Sequence, residues 1–334
     1  MADILIAGGG PAGACAAIAG RLEGCSVRLM DRAKTVRHKV CGEFISPEAS
    51  EILEKLQVWD DFRMLGPHPI RRCLLHLGSR IEQWKLPECA WGLSRLQLDG
   101  LLLDKAGAFG AIVSRGESFD GRTPNPPNDR VILACGRQQT APRGDRLFGF
   151  KTHFEGPSDD AVELFFDADG YVGVSGIENG LTNVCGLATE SFLRAHACDF
   201  DELVLRSRPL VERLRPLRRR MRWIVTGPLS FTAPANRSFG SNIYPAGDSM
   251  GFVDPFTGSG ILNAIVTGRL AGLAAARQSS SSEYVKSCRA LLRGPFFISS
   301  ILRRLACHTE LHWLAPCLPC QALFRLTRTS VGAF

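Results

Sequence analysis

Gly8, Gly10, Pro11, Ala12 and Gly13, with Asp31 following 18 positions after Gly13, have the types and spacing to hold a phosphate and a ribose. In the run Gly8-Gly9-Gly10-Pro11-Ala12-Gly13, Gly8 suits a tight turn and Gly10 lets the backbone approach a pyrophosphate. Gly13 lets a helix pack closely on a strand. The unpaired N–H groups at the start of that helix, with the positive end of its dipole, attract phosphate. A carboxylate at Asp31 can accept both ribose hydroxyls and disfavours a 2′-phosphate, so the nucleotude class expected is an ADP moiety, not that of NADP. Arg32 stands beside it.

A second constellation lies far downstream, between Asn242 and Ile261: Gly247-Asp248, then Asp254-Pro255-Phe256-Thr257-Gly258-Ser259-Gly260-Ile261. The pattern predicts a short strand ending at Gly247-Asp248, a loop, and a small-residue helix from Ile261 to about Ala276, a second helix N-terminus aimed at a ligand. Two further segments stand between: Lys39-Val40-Cys41-Gly42-Glu43-Phe44, and Leu93 to Leu102 with Arg95 near a predicted helix start.

Together these segments resemble the FAD-dependent superfamily of aromatic hydroxylases (the para-hydroxybenzoate hydroxylase type), geranylgeranyl reductases and flavin-dependent halogenases. The resemblance implies that Gly247 and Asp248 hold the ribityl chain, and that Gly258, Gly260 and Ile261 face the N1–C2=O edge of the flavin. It places Arg95 and Lys39 against FAD, and it sets Cys41, Glu43, Pro255, Phe256 and Thr257 beside the isoalloxazine as candidate catalytic positions. Physical chemistry agrees, because reduced flavin is anionic at that edge and a helix N-terminus stabilises such charge by roughly 0.3–2 kcal/mol. FAD is the expected cofactor, with NAD(P)H as transient electron donor. Two departures stand out. The hydroxylases carry Ala-Asp-Gly where this chain has Ala134-Cys135-Gly136, and the halogenases' W-x-W-x-I-P run has no counterpart near Tyr171. Halogenation is therefore a minor reading.

These residues need elements to position them. Ile4 to Ala7 reads as a buried parallel strand, Pro11 to about Leu22 as an Ala-rich helix, and Val27 to Asp31 as a second strand. With 334 residues and 45% hydrophobic content, the chain has room for two interleaved domains. The expected fold is α/β: a Rossmann-type FAD-binding domain from discontinuous segments 1–66, 95–143 and 238–278, an inserted antiparallel substrate sheet from 67–94 and 144–237, and a C-terminal helical cap over 279–334. Strands are predicted at Phe148 to Phe154, Ala161 to Phe166, Gly170 to Ser175 and Thr182 to Leu187. Ser114 to Asn128 is shorter and richer in Pro and Gly than the superfamily's usual β-meander.

The remaining chemistry-bearing residues form no sequence constellation. His153 reads as a sheet-surface residue, and Tyr171 is the other acid–base candidate of the sheet. Cys317-x-x-Cys320 with His308 and His312 reads as packing in an apolar helix, so no metal is expected. From Arg206 to Arg222 eight arginines face one glutamate, which predicts the solvated face of a helix docked on the sheet. The alternative is a docking surface for an acidic carrier protein, an anionic lipid surface or a phosphorylated substrate. A net charge of +7 without a recognition motif argues against nucleic acid. The tail from Gly294 mixes Phe296, Phe297, Ile298, Ile301, Leu302 and Leu305 with Arg303 and Arg304. That pattern suits core packing, closure over a lipophilic pocket, or peripheral contact with a membrane interface.

Twelve scattered cysteines read as reduced cytosolic thiols, and a strand at the N-terminus leaves no room for a signal peptide. The expectation is a cytoplasmic FAD-dependent oxidoreductase of secondary metabolism. Hydroxylation of a lipophilic aromatic or polyketide-like substrate comes first, geranylgeranyl-reductase-like reduction of an isolated alkene second, and a non-catalytic flavin-carrying accessory protein third. A separate reductase is a further candidate partner.

Overall fold

The computed structural model describes residues 3–78, 80–119, 130–137, 146–234, 239–307 and 326–328. Two strands and one helix build the predicted unit: β1 (Ile4–Ala7), α1 (Pro11–Leu22) and β2 (Val27–Asp31), with β1 and β2 parallel and Ile4 opposite Val27. After β3 (Phe44–Ile45), α2 (Ala49–Lys55) and α3 (Trp59–Met64), the chain leaves this unit through the long hairpin β4 (His68–Leu77) and β5 (Arg80–Gly92). It returns with α4 (Arg95–Ala108), β6 (Ile112–Arg115) and β7 (Arg130–Leu133). Next come β8 (Leu147–Glu155), β9 (Ala161–Asp167), β10 (Gly170–Gly176) and β11 (Leu181–Thr189), close to the predicted strands. The short helices α5 (Glu190–Ala195), α6 (Phe200–Leu205) and α7 (Arg208–Leu214) follow, then β12 (Arg218–Arg219) and β13 (Ile224–Leu229). The chain closes with β14 (Ile243–Pro245), α8 (Gly260–Ala276) and α9 (Ser281–Cys307).

Two sheets result. The first is parallel, in the order β14-β7-β1-β2-β6. The second runs β12-β8-β11-β10-β9-β4-β5-β3, with β13 also paired to β8. The predicted strands β8 to β11 pair antiparallel, and the hairpin joins them through one parallel pair, β4 with β9, Arg72 opposite Ala161. The hairpin is laid down before the meander, and the chain passes through α4, β6 and β7 before β9 joins the hairpin's free side, which sets the strands running the same way.

Close helix packing explains the alanine-rich start. Residues 11–20 of α1 are all buried, between the parallel sheet and α8. A Cβ at Gly13 would stand 1.8 Å from the Gly8 carbonyl oxygen, and one at Gly268 in α8 would stand 2.2 Å from the Ala12 oxygen. Neither position admits a side chain. A second core, including Phe150, Phe154, Phe192, Phe200 and Leu210, lies between β8 to β11 and the helices α5 to α7.

The arginine-rich segment is not one helix. Ser207 caps a new helix, its Oγ accepting from the Leu210 amide, with Pro209 in the first turn; Pro216 then stands just past its end. Arg206, Arg208, Arg213, Arg219 and Arg220 pair with Asp169, Glu212, Glu163, Asp201 and Glu155. The segment is thus largely neutralised along a sheet edge. Among the described residues no helix is long and apolar enough to cross a membrane, and nine cysteines from Cys15 to Cys288 form no disulfide. The cysteine–histidine group at 308–320 lies outside the described residues.

Candidate functional site

The C-terminal ends of β1 and β2, the starts of α1, α4 and α8, the inner face of the mixed sheet and the last turns of α9 enclose one continuous cavity of about 1330 Å³. It is lined by every cofactor-binding and flavin-proximal candidate named above except Gly13, which is packed beneath the turn, and by Tyr171 but not His153. The two glycine motifs, 234 positions apart, therefore meet at one site.

At the end of the cavity formed by the start of α1 the glycines differ in kind. A Cβ at Gly10 would find only Arg95 Nη2, at 3.9 Å, so this face of the turn opens into the cavity instead of into protein. That is the close-approach cradle a pyrophosphate needs, with Gly10 as the cap of α1 and no side chain satisfying the helix's first amides. Asp31 ends β2; its Oδ1 accepts the Ala33 amide at 3.2 Å, and the carboxylate lines the cavity. The Gly247 amide donates to Thr267 Oγ1 at 2.8 Å, which ties the loop to α8. Burial pushes the Asp248 carboxyl up to about 6, against the pull of the Arg95 and Arg137 charges. The residues present fit an FAD.

Arg95 begins α4 behind the Ser94 cap, whose Oγ accepts from Gln97. Its guanidinium grips buried Asp99 with two bonds, Nε at 2.7 Å and Nη2 at 2.9 Å, while Lys39 Nζ donates to the same carboxylate at 2.8 Å. Burial disfavours the charge on Asp99, but Arg95 and Lys39 outweigh it and hold the carboxyl below its usual range. Both cations thus reach the cavity wall already oriented. Asp99 was not singled out in the sequence, although its spacing of four from Arg95 on a helix is the signal for such a pair.

The mixed sheet supplies a buried charge cluster that sequence reading missed. His153, expected on the sheet surface, is 3% exposed, and its Nε2 lies 2.8 Å from Glu43 Oε2. Lys151, two residues earlier on the same face of β8, is fully buried and donates to Glu43 Oε1, which also accepts the Arg95 amide at 2.6 Å. The correction has a simple cause. One face of β8 packs on α5 to α7 and the other on the 39–43 segment, so neither face meets water. Glu43 occupies a left-handed backbone conformation, with φ 54°, unusual for a non-glycine residue. Burial opposes its ionisation, yet His153 and Lys151 hold the carboxyl below the usual range. Asn183 Nδ2 donates to the Cys41 and Gly42 carbonyls at 3.1 and 2.9 Å, fixing the same segment from β11.

His38 stands edge-on to His153, with ring centroids 5.1 Å apart, and burial followed by the Lys151 charge lowers its pKa. His38, Glu43 and His153 offer ligand atoms within 4.8 Å of one another. Lys151 already neutralises Glu43, and its ammonium would repel a metal cation, so hydrogen bonding accounts for the group.

The opposite end of the cavity is apolar. Leu75, Leu77, Val162, Leu164, Tyr171 and Leu187 line it from the mixed sheet, and Phe252 and Phe256 from the loop before α8. Phe256 packs on Phe166 and Tyr171, with centroids 5.3 and 6.1 Å away. From α9, Leu302 lines the cavity and Ser299 meets Thr257, their hydroxyls 3.2 Å apart, while Phe297 and Ile301 face outward. Leu302 and Ser299 thus lie on the cavity side of α9; the residues from 308 to 325 lie outside the described set. Cys135 also lines the cavity, its thiol 3.4 Å from the Ala7 carbonyl.

Comparison with known proteins agrees with this geometry. Residues 1–138 match the family model described as FAD binding domain. No curated protein matches the sequence. Among solved structures, the flavin-dependent brominase Bmp2 superposes with a TM-score of 0.79 at 16% identity, covering 98% of this chain and 93% of that one. CmlS, a flavin-dependent halogenase, gives 0.75 at 20% identity over 99% of this chain and 68% of its own. A geranylgeranyl bacteriochlorophyll reductase-like protein from Thermoplasma acidophilum gives 0.73 at 18% identity over 99% and 94%. At such identities the likeness is one of fold. The fold class read from the sequence is the one the matches show, and residues 1–138 carry the FAD-binding match.

Proposed function

We propose that this chain, with its FAD-binding fold, is an FAD-dependent monooxygenase that hydroxylates a lipophilic aromatic or polyketide-like substrate, with NAD(P)H as electron donor. One observation carries the reading: a single cavity joins the nucleotide-binding turn to an apolar, aromatic-walled end, and its volume exceeds the few hundred to about 1,000 Å³ of ordinary ligand pockets. Such a space accommodates a large cofactor and an apolar substrate at once. Bound FAD would supply two-electron redox chemistry and oxygen activation. The start of α1 would hold its pyrophosphate, Asp31 the adenosine ribose, and Gly247 with Asp248 the ribityl chain. The first amides of α8 would face the charge that develops on reduction. Tyr171, Phe252 and Phe256 would hold an aromatic ring by packing, and Leu302 would keep water from it.

A second reading, reduction of an isolated alkene in a prenyl-like substrate, is favoured by Cys135 at the position where the hydroxylases carry an acid, and by the Lys39 to Glu43 segment. Mixing the protein with NADPH or NADH under argon tests direct reduction through bleaching of flavin absorbance. Reaction with lipophilic phenols in air then separates the readings. Hydroxylation consumes oxygen in proportion to product, whereas alkene reduction proceeds better without it. The same assay with added bromide gives a brominated product only if the oxygen chemistry is diverted to halide. Failure of every aromatic and prenyl compound to alter flavin reoxidation would overturn the proposal.

A further inference from the structure

Where α9 packs on the loop before α8, three hydroxyls meet in an order that fixes which way each proton points. Thr257 Oγ1 lies 3.0 Å from Ser259 Oγ and 3.2 Å from Ser299 Oγ, and both serines are fully buried. Ser299 Oγ donates at 2.7 Å to the Pro295 carbonyl, one turn back along α9. A hydroxyl has one proton and two lone pairs. With its own proton spent on Pro295, Ser299 meets Thr257 as an acceptor, so the Thr257 proton points at Ser299. Ser259 must then donate to Thr257. This is the one setting that forms all three bonds, and the cost of leaving a buried hydroxyl unpaired holds the group to it.

The chain of hydroxyls is not a proton relay, because it ends on a carbonyl oxygen. What it leaves at the cavity wall is a polarity. Thr257 lines the cavity, as do Phe256 before it and Leu302, one turn along α9 from Ser299. Its proton is committed and one lone pair is taken, so what it offers a ligand is the second lone pair.

We propose that Thr257 is a specificity residue for a hydroxyl on the substrate: it accepts a hydrogen bond from an O–H carried by the apolar body, and Ser299 sets that role by taking the only proton Thr257 has. An ether oxygen, a phenolate or a halide ion at the same point would face a lone pair in place of a donor. The proposal rests on the reading of the cavity's apolar end as the substrate site, and narrows the substrate to one that bears a neutral hydroxyl. Thr257 selects and orients the ligand, and Ser299 is a positioning residue that acts through Thr257.

The test is calorimetric titration of the FAD-loaded protein with para-hexylphenol and para-hexylanisole at neutral pH, where a phenol keeps its proton. The phenol is expected to bind about five- to tenfold tighter, the range of one net hydrogen bond. Thr257→Val keeps the shape and removes the acceptor, and should bring the two affinities within about twofold by weakening the phenol. Ser299→Ala leaves Thr257 in place and frees its proton to turn toward an ether oxygen, so the anisole should gain and the preference should shrink by about threefold or more. A merely structural Ser299 would weaken both probes alike, and an unchanged ratio in Ser299→Ala would overturn the proposal. That variant decides the matter if Thr257→Val fails to fold. Equal affinities in the parent protein, which would give the lone pair to the flavin or to nothing, would also overturn it, as would a phenol preference that survives Thr257→Val. No binding of either compound would sink the substrate site and the proposal with it. A phenol preference without oxygen-coupled turnover of any phenol would sink the monooxygenase reading and leave the role of Thr257 standing.

Discussion

Glu43 shows how much one side chain can be asked to hold. It ties the 39–43 segment to β8 through Lys151 and His153 and to the start of α4 through the Arg95 amide, with all three side chains buried. Removing one partner of a buried ion pair leaves an uncompensated charge, at a cost of about 3–5 kcal/mol. Lys151→Met and Glu43→Gln should each destabilise the protein by that order in denaturant titrations. The double variant should lose clearly less than the sum, because neither charge is then stranded. Additive losses would show that Glu43 and Lys151 are not coupled. Asp248 makes a different prediction, because its pKa is raised from the usual 3.8 to about 6 by burial. A carboxyl raised in the folded state contributes stability that is present in full below the unfolded value and is lost as pH rises through the folded one. The FAD-free protein should therefore lose stability between about pH 4 and 6, by at most roughly 3 kcal/mol. Asp248→Asn should flatten that part of the profile, and an unchanged profile would mean that Asp248 ionises normally.

At the scale of elements, α1 separates folding from binding within a single turn. Gly13→Ala puts a Cβ into the Gly8 carbonyl, 1.8 Å away, and should prevent α1 from docking on β1, read as loss of cooperative unfolding. Gly10→Ala, with its Cβ pointing at open cavity, should keep the melting behaviour of the FAD-free protein and lower flavin content severalfold. If Gly10→Ala retains full flavin, the turn is not the pyrophosphate cradle. These elements were legible in advance because their signals are local: glycine spacing, an apolar run, an acid at a strand end, and alternation along β8 to β11. Contacts that depend on which elements meet were not legible. Lys151 and His153 look like a solvent face on β8 until the 39–43 segment covers them. Arg206 to Arg222 looks like a basic face until Asp169, Glu163, Asp201 and Glu155 arrive from other strands and helices. The parallel pairing of β4 with β9 joins strands separated by 83 residues of intervening chain, and no periodicity records it.

Across the whole molecule the cavity belongs to neither sheet alone. The parallel sheet provides the end proposed for the nucleotide, the mixed sheet the apolar wall, and α9 the side that carries Leu302 and Ser299. This division predicts that the two ends can be altered independently. Leu164→Trp on β9 and Leu302→Trp on α9 each add indole volume at the apolar end, away from Gly10, Asp31 and Asp248. Both side chains border open space instead of a packed core, so overpacking strain should stay below the 1–3 kcal/mol typical of filled interiors. Flavin content and the rate of flavin reduction by NAD(P)H, the proposed donor, should then remain within about twofold of the parent. Affinity for a lipophilic ligand should fall by an order of magnitude or more, since the lost apolar contact is worth roughly 25 cal/mol per Å² of surface no longer buried. Flavin loss in Leu164→Trp or Leu302→Trp, with ligand affinity unchanged, would assign the sheet-lined end to the cofactor. The substrate would then have to enter elsewhere.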